Sequence, residues 1–304
     1  MKRNGIVAIP TETVYGLAGN ALSETAVAKI FAAKERPFFD PLIVHIAEFD
    51  ELENLAAEIP KNAKLLAEKF WPGPLTLVLP KKEKVPDLTT GGLSTVAVRM
   101  PKKQITRELI KLAGFPLAAP SANMFQHLSP TSAEHVAEQL SGRIDGIVDG
   151  GACEIGIEST VVGFENEIPV IYRPGAVTEE MIAVTNYQLS TINYQLDTSV
   201  ANASPGMLKK HYSPNTSLCL ELPSDVPPNS GLLAFGKLPV NASCFAKILN
   251  LSESANPTEA AANLYGMLHK LDSCGLDRIF AVLLPEMGLG NAINDRLLKA
   301  RGIA

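Results

Sequence analysis

The sequence predicts a two-domain α/β protein: a larger domain built on a twisted mixed sheet, then a smaller, Rossmann-like α/β domain. The 304 residues are 46% hydrophobic and 19% charged, enough apolar material for two buried cores. Short apolar runs alternate with stretches of helical periodicity over 1–178 and again over 217–304. Between them, over 179–216, the periodicity fades and Asn, Gln, Ser and Thr prevail, which indicates a linker.

In the first domain, apolar runs predict strands and the 3.6-residue period predicts helices. The strands are expected at 5–9, 42–46, 75–79, 95–98, 146–148, 160–162 and 170–172. The helices are expected at 23–33 with Ser23 as N-cap, and at 62–70, 102–113 and 132–140. Frequent Pro and Gly between these elements argue against a regular parallel series and favour a mixed sheet.

The second domain repeats the alternation on a smaller scale. Strands are predicted at 218–220, 232–235 and 279–284, and helices at 258–271 and 292–300. No catalytic set of residues is apparent in it, so a role in interaction or in supporting the linker is expected.

Composition and cysteine spacing exclude several classes of protein. The net charge of −5 argues against a protein whose main task is to bind a phosphate backbone. Four separated cysteines, with no C-x-x-C pair, indicate neither a zinc site nor a disulfide framework. No apolar run is long enough for a signal peptide or a membrane span, so we expect a cytoplasmic protein.

The common catalytic motifs are absent, which leaves clusters of polar residues among apolar runs. The sequence has no P-loop, G-x-S-x-G or H-E-x-x-H motif, and Gly288-Leu-Gly290 is interpreted as a helix-start turn. Thr11–Gly16 follows a strand directly, where ligands of α/β sheets usually bind. Lys34 and Arg36 end a helix before two prolines that would hold both cations in place, as a phosphate site requires.

Further clusters extend this set. Arg99 ends a strand and could bind a carboxylate through two of its guanidinium nitrogens. Hydroxyl and amide groups occur at 120–123, 128–131 and 158–160, and Arg173 follows. Fixed cations, many hydroxyl donors and few bases together favour an anionic substrate such as a nucleotide.

These clusters, in this order, resemble the YrdC-like threonylcarbamoyl-AMP synthases. The matching motifs are Pro10-Thr-Glu-Thr-Val-Tyr-Gly-Leu17, Lys34-x-Arg-Pro-x-x-x-Pro-Leu42, Pro120-Ser-Ala-Asn123, Glu158-Ser-Thr160 and Arg173-Pro-Gly175. The segments Ser204-Pro-Gly-Met-x-x-x-His-Tyr-Ser-Pro214 and Gly288-Leu-Gly-x-Ala-Ile-x-Asp-Arg-Leu297 are similar to the longer, two-domain form. The resemblance implies a concave, positively charged cavity in which ATP, with Mg²⁺, L-threonine and bicarbonate yield threonylcarbamoyl-AMP and pyrophosphate.

The resemblance also implies which residues form the site. A threonine site would comprise Thr13, His45, Arg99, the Ala119 backbone and Ser159. An ATP site would comprise Lys34, Arg36, Asp40, Thr95, Ser121, Asn123, Ser129, Arg173 and Tyr212, with Tyr212 closing over the nucleotide from the linker. Lys34 and Arg36 would be catalytic, no protein group would be a dedicated metal ligand, and Asp40 stands where the family usually has Asn.

The sequence leaves two other functions as alternatives to this one. An RNA-binding or ribosome-assembly module could use the same concave surface, although the negative charge counts against it. A carbamoyl-transferring module of hydrogenase maturation would need zinc-finger cysteines that this sequence lacks. The synthase interpretation implies that the product passes to a tRNA threonylcarbamoyl transferase complex, without stable direct binding of tRNA and without a membrane.

Overall fold

A nine-stranded mixed sheet is the frame of the first domain in the computed structural model, which describes residues 1–185 and 211–301. Its strands are β1 (Val7–Ile9), β2 (Gly16–Asn20), β3 (Ile43–His45), β4 (Leu75–Pro80), β5 (Thr95–Arg99), β6 (Leu117–Ala118), β7 (Gly146–Ile147), β8 (Thr160–Glu165) and β9 (Ile168–Arg173). They are ordered β7-β1-β2-β6-β3-β5-β4-β8-β9. Because β3 pairs with β5 in parallel while β4 pairs with β5 antiparallel, the predicted mixed sheet is confirmed.

Six α-helices and one short 3-10 helix (Phe49–Asn54) accompany this sheet within residues 1–185. The α-helices are α1 (Glu24–Lys34), α2 (Lys61–Phe70), α3 (Asp87–Thr90), α4 (Gln104–Ala113), α5 (Ala133–Leu140) and α6 (Glu179–Thr185). Ser23 caps α1 as predicted, its hydroxyl accepting from the Ala26 N–H. The apolar face of α1 enters a core that includes Ile30, Leu17 and Val44.

Strand β2 and helix α6 are not predicted by the sequence pattern. β2 reads Gly-Leu-Ala-Gly-Asn, a composition poor in strand formers. Its Gly19 is favoured by close packing, since a Cβ there would lie 3.2 Å from Ile30 and 3.3 Å from Ile6. Helix α6 occupies the start of the segment assigned to the linker, and its Ile182 is buried in the core of the first domain. Residues 186–210 of that segment lie outside the described residues.

The second domain has a four-stranded sheet in the order β10-β13-β11-β12, and all of its pairings are parallel. The strands are β10 (Ser217–Cys219), β11 (Ser230–Ala234), β12 (Lys247–Asn250) and β13 (Arg278–Ala281), and the helices are α7 (Pro257–Asp272) and α8 (Leu289–Arg301). Asn256 caps α7 by accepting from the N–H groups of Thr258 and Glu259. The predicted second α/β domain is therefore confirmed.

The two domains share an apolar interface. One buried cluster contains Val14 and Ile157 of the first domain together with Tyr265 and Leu297 of the second. At Gly156, which has a φ of +77°, a Cβ would lie only 2.4 Å from the Ala261 carbonyl oxygen. Close packing of this kind fixes α7 and α8 against the first domain. Among the helices of residues 1–185 and 211–301, none has the length and apolar character needed to cross a membrane.

Candidate active site

A polar cavity lies against one face of the large sheet, beside the junction of the two domains. It is lined by Thr11, Thr13, Val14, Gly16, Arg36, Ile43, His45, Arg99, Ala119, Pro120, Ser121, Glu158, Ser159, Arg173, His211 and Tyr212. Nine of these are predicted site residues: Thr13, Arg36, His45, Arg99, Ala119, Ser121, Ser159, Arg173 and Tyr212. Residues from the beginning and the end of the first domain's sequence, and from the linker, thus meet in one site.

The register of the strands determines which side chains face the cavity. His45 lies opposite Arg99 in the pairing of β3 with β5, so both polar groups stand in one row. Two residues earlier on the same strands, on the same face, Ile43 lies opposite Ala97, and Ala97 opposite Val78 of β4. The sheet therefore offers a polar row and, beside it, an apolar row of buried side chains.

Thr95 lies outside the apolar row, on the side away from the polar row. It precedes Ala97 by two residues on β5 and is therefore on the same face. It does not line the main cavity but a neighbouring pocket, together with Val78 and Tyr172. Any contact between Thr95 and a ligand in the cavity would require that ligand to extend across the apolar row.

The loop after β1 is shaped by the Thr11 hydroxyl. This oxygen accepts hydrogen bonds from the N–H groups of Thr13, at 3.1 Å, and Val14, at 3.2 Å, and donates to the Val14 carbonyl at 2.7 Å. A short polar side chain that bonds to its own loop is typical of such tight turns. The turn brings the Thr13 hydroxyl within 2.9 Å of an Arg99 guanidinium nitrogen.

Arg99 is held from three sides. Besides Thr13, its guanidinium donates to a Glu12 carboxylate oxygen at 2.7 Å and to the Gly73 carbonyl at 3.2 Å. Burial raises the pKa of Glu12, but the Arg99 charge and its hydrogen bonds outweigh burial and bring that pKa below its usual value. The pair is therefore ionised, and it presents an oriented guanidinium at this end of the cavity.

His45 is a neutral neighbour of that guanidinium. Burial, and then the charge of Arg99, lower the pKa of His45 to about 3. Its ring can therefore donate or accept a hydrogen bond at physiological pH without adding a charge.

Lys34 lies behind the cavity lining and stabilises the wall through hydrogen bonds. Its ammonium group donates to the carbonyl oxygens of Ser121, at 2.6 Å, and Asn123, at 2.5 Å, and the side chain is buried. Burial, with the nearby charge of Arg36, lowers the pKa of Lys34 well below its usual value. These contacts tie the end of α1 to the segment that carries Ser121, a role in shaping the site that sequence reasoning did not assign.

Arg36 and Asp40 form a buried ion pair. A guanidinium nitrogen of Arg36 lies 2.9 Å from the Asp40 carboxylate and donates at 2.9 Å to the Pro41 carbonyl. Burial raises the pKa of Asp40, and Arg36 opposes the rise. Arg36 lines the cavity and Asp40 does not, so Asp40 acts on the cavity through Arg36.

Asn123 and Ser129 also stand behind the lining. The Asn123 amide donates to the carbonyl oxygens of Met124, at 2.7 Å, and His127, at 2.9 Å. The Ser129 hydroxyl donates to Glu158 at 2.6 Å. At the wall itself, Arg173 donates to the carbonyl oxygen of Ser159 at 2.9 Å and to its hydroxyl at 3.2 Å.

His211 and Tyr212 cover the cavity from the linker. Tyr212 adopts a left-handed φ of +63°, uncommon for a bulky residue, and its ring lies 3.9 Å from that of His211. The Tyr212 hydroxyl and the Nδ1 atom of His211 are buried and have no hydrogen-bond partner among the described residues. Such atoms each cost about 1–3 kcal/mol unless something else bonds to them, which points to a polar ligand.

The cavity is not built as a metal site. Within 1–185 and 211–301, no three His, Cys, Asp or Glu side chains are grouped so as to hold a metal ion. The nearby carboxylates are already paired, Glu12 with Arg99, Asp40 with Arg36 and Glu158 with Arg296. A divalent cation would therefore enter with an anionic ligand that supplies most of its oxygen ligands.

The covered cavity is lined by arginines, hydroxyl groups and unpartnered polar atoms, a set suited to an anionic small molecule. The site thus defines this two-domain α/β chain as a protein that binds a ligand of that class. Residues 1–175 match the Sua5, YciO and YrdC family, described as telomere recombination. Residues 177–302 match the family described as threonylcarbamoyl-AMP synthase, C-terminal domain. The chain belongs to the two-domain threonylcarbamoyl-AMP synthase family, and the predicted family is confirmed.

Individual relatives agree with this assignment. The threonylcarbamoyl-AMP synthase of Pyrococcus abyssi is 45% identical over 312 residues, covering 99% of this chain and 92% of that protein. The Bacillus subtilis enzyme of the same name is 42% identical over 316 residues, covering 99% and 91%. The crystal structure of P. abyssi Sua5 complexed with L-threonine superposes with a TM-score of 0.86 at 42% identity, covering 99% of this chain and 92% of that one.

Proposed function

We propose that this chain is an L-threonylcarbamoyladenylate synthase, which converts L-threonine, bicarbonate and ATP into threonylcarbamoyl-AMP, pyrophosphate and water. The observation that carries the proposal is one covered cavity with two different ends. Arg99, Thr13 and His45 form one end, and Arg36 and Arg173 form the other. An amino acid and a nucleotide could therefore meet between them, with their reacting groups adjacent.

At the first end, Arg99 would pair with the threonine carboxylate. Its guanidinium is already oriented by Glu12, so it can bind a carboxylate without a large loss of side-chain entropy. Thr13, neutral His45, Ser159 and the Ala119 backbone would surround the rest of the amino acid. The related P. abyssi Sua5 crystallised as a complex with L-threonine, which supports this substrate.

At the second end, Arg36, Ser121 and Arg173 would bind the phosphates, with Lys34 holding the wall behind them. The apolar row of Ile43, Ala97 and Val78 suits the flat face of adenine, which would bring the base toward Thr95. The buried hydroxyl of Tyr212 would find its missing partner in the nucleotide. Mg²⁺ would enter with ATP as the counter-ion of its phosphates.

The reaction needs positioning and charge neutralisation more than a strong base. The amine of threonine combines with bicarbonate to give a carbamate and water. A carbamate oxygen then attacks the α-phosphorus of ATP, and the bond to pyrophosphate breaks. Two anions must approach each other, so fixed guanidinium groups lower the barrier, and exclusion of water by the linker protects the mixed anhydride.

We further propose that the reaction takes place in the cytoplasm, which suits a chain whose four cysteines are all free. The product would pass to a separate tRNA threonylcarbamoyl transferase complex. Stable direct binding of tRNA is not expected of a chain with a net charge of −5.

The test is pyrophosphate release from ATP and Mg²⁺, with threonine and bicarbonate each omitted in turn. We expect release only when both are present. Arg36→Met should abolish most of it, whereas the control Arg143→Met, which removes an exposed arginine paired with Glu35, should not. Folded protein that shows no dependence on threonine would contradict the proposal. Salt-dependent tRNA binding without ATP would then favour the RNA-binding alternative.

A further inference from the structure

Glu158 is a buried carboxylate in the cavity wall whose partners come largely from the second domain. One of its oxygens accepts from the Ser129 hydroxyl at 2.6 Å, and the other accepts from Arg296 of α8 at 3.0 Å. The Tyr265 hydroxyl of α7 lies 3.0 Å from both carboxylate oxygens. Sequence reasoning assigned no function to Arg296 or Tyr265, although Arg296 lies in the C-terminal motif of the two-domain form.

Arg296 connects three segments of the cavity wall. Besides Glu158, it donates to the Pro174 carbonyl at 2.6 Å, next to Arg173. Its guanidinium carbon lies 5.5 Å from the centre of the Tyr212 ring, within the range of a cation–π contact. The side chain is 1% exposed, so these contacts form without competition from water.

The negative charge of Glu158 lies in the wall of a cavity that we propose binds an anion, where it would repel the ligand. Burial raises the pKa of its carboxyl, but the charges of Arg296 and then Arg173 outweigh burial and bring it below its usual value. The carboxylate is therefore ionised and lies next to Ser159 and Arg173, where the proposed phosphates would bind. Without Arg296, Arg173 would become the main cation facing Glu158. The positive charge of Arg173 would then attract a phosphate less strongly.

We propose that Arg296 is a positioning residue of the ATP site: from the second domain it neutralises Glu158, leaves Arg173 to the phosphates and supports the ring of Tyr212. This inference rests on the proposed function, since it concerns the nucleotide end of the same cavity. It gives the second domain a part in catalysis without any contact between that domain and the reacting atoms.

The test compares Arg296→Met with the double variant Glu158→Gln/Arg296→Met in the full chain. Calorimetry measures the Kd of ATP with Mg²⁺, and pyrophosphate release gives the KM for threonine. Arg296→Met should weaken ATP binding by about tenfold or more, because Glu158 then loses its main cation and draws on the charge of Arg173. The double variant should recover to within about fivefold of wild type, since it removes both charges. The KM for threonine should change by less than about threefold in both.

The matched control is Arg278→Met, which removes an exposed arginine from β13 of the same domain. It should bind ATP as wild type does. The inference is wrong if Arg296→Met binds ATP like wild type, or if the double variant binds no better than Arg296→Met. If Arg296→Met does not fold, Arg296→Lys decides, because it keeps the charge. A loss of about tenfold or more in that variant, at the wild-type melting temperature, overturns the inference.

Failure of the proposed function would look different. If the wild-type chain bound no ATP, both the proposed function and the role of Arg296 would be wrong. If wild type and Arg296→Met bound ATP equally, only the role of Arg296 would be wrong.

Discussion

Replacing Asp40 by Asn separates the stability of the free protein from its affinity for ATP. Asp40 is 2% exposed and its carboxylate lies 2.9 Å from Arg36. Removing one partner of a buried ion pair costs about 3–5 kcal/mol, and an isosteric amide, which leaves no cavity, should fall near the lower end. We therefore expect the free variant to lose about 3 kcal/mol, which lowers Tm by about 6–12 °C.

Bound ATP should reverse part of this loss. In the wild type a phosphate must approach Arg36 beside a competing carboxylate, whereas in Asp40→Asn the phosphate would supply the missing negative charge. Ligand at about 100 times its Kd raises stability by about 2.7 kcal/mol, and tighter binding raises it further at the same concentration. The gap in Tm between the two proteins should therefore narrow when ATP and Mg²⁺ are added.

Differential scanning calorimetry of both proteins, with and without ATP and Mg²⁺, measures this gap. The control is Asp87→Asn, which removes a carboxylate paired with Lys81 and mostly exposed to solvent. That change should cost about 0–1 kcal/mol regardless of ATP. A gap that stays constant or widens on adding ATP would refute the reasoning, since Asp40 would then assist nucleotide binding rather than oppose it.

Three further outcomes are expected. Tyr212→Phe should raise Tm, because it removes a buried hydroxyl without a hydrogen-bond partner among the described residues. The same change should raise the KM for ATP, and a lower Tm with an unchanged KM would contradict this. Arg99→Lys should raise the KM for threonine by about tenfold, because the bonds to Thr13 and Glu12 require a forked side chain, while the KM for ATP stays nearly constant. Burial lowers the pKa of His269 from 6.5 to about 4, so the unfolded chain binds more protons and stability falls as pH drops from 6.5 to 4. The slope, at most about 1.4 kcal/mol per pH unit from this group, should be smaller in His269→Gln when chemical denaturation is measured across that range.

The fold could be predicted wherever local pattern and tertiary packing agree. Helix α1 begins after Ser23 as expected, because an N-cap and a 3.6-residue apolar period both lie in the local sequence. Strand β2 could not be predicted, because its two glycines pack against other segments of the chain, Gly16 against Ala119 and Gly19 against α1. Helix α6 is not predicted for a related reason: over 179–184 only Ile182 is fully buried, which gives too weak a period to stand out.

The lining of the cavity could be predicted better than the residues behind it. Motifs identify Arg36, Arg99 and Arg173, because a fixed cation after a strand or helix is visible in one stretch of sequence. Two of the carboxylates that pair with buried arginines are not visible in this way. Glu12 lies 87 residues from Arg99, and Glu158 lies 138 residues from Arg296, so only the folded chain shows which carboxylate neutralises which arginine.

The same pairing explains why composition alone could not indicate an anion site. Guanidinium groups buried around one cavity would repel each other, and three of them are each matched by a carboxylate from their own loop, another loop or the other domain: Arg36 by Asp40, Arg99 by Glu12 and Arg296 by Glu158. A buried ion pair contributes little net stability, but it holds both side chains in one geometry. Much of the positive charge around the free cavity is then already paired, and its side chains are already oriented. An arriving anion binds by sharing cations that the protein has already desolvated and fixed, which is what a reaction between two anions requires of its site.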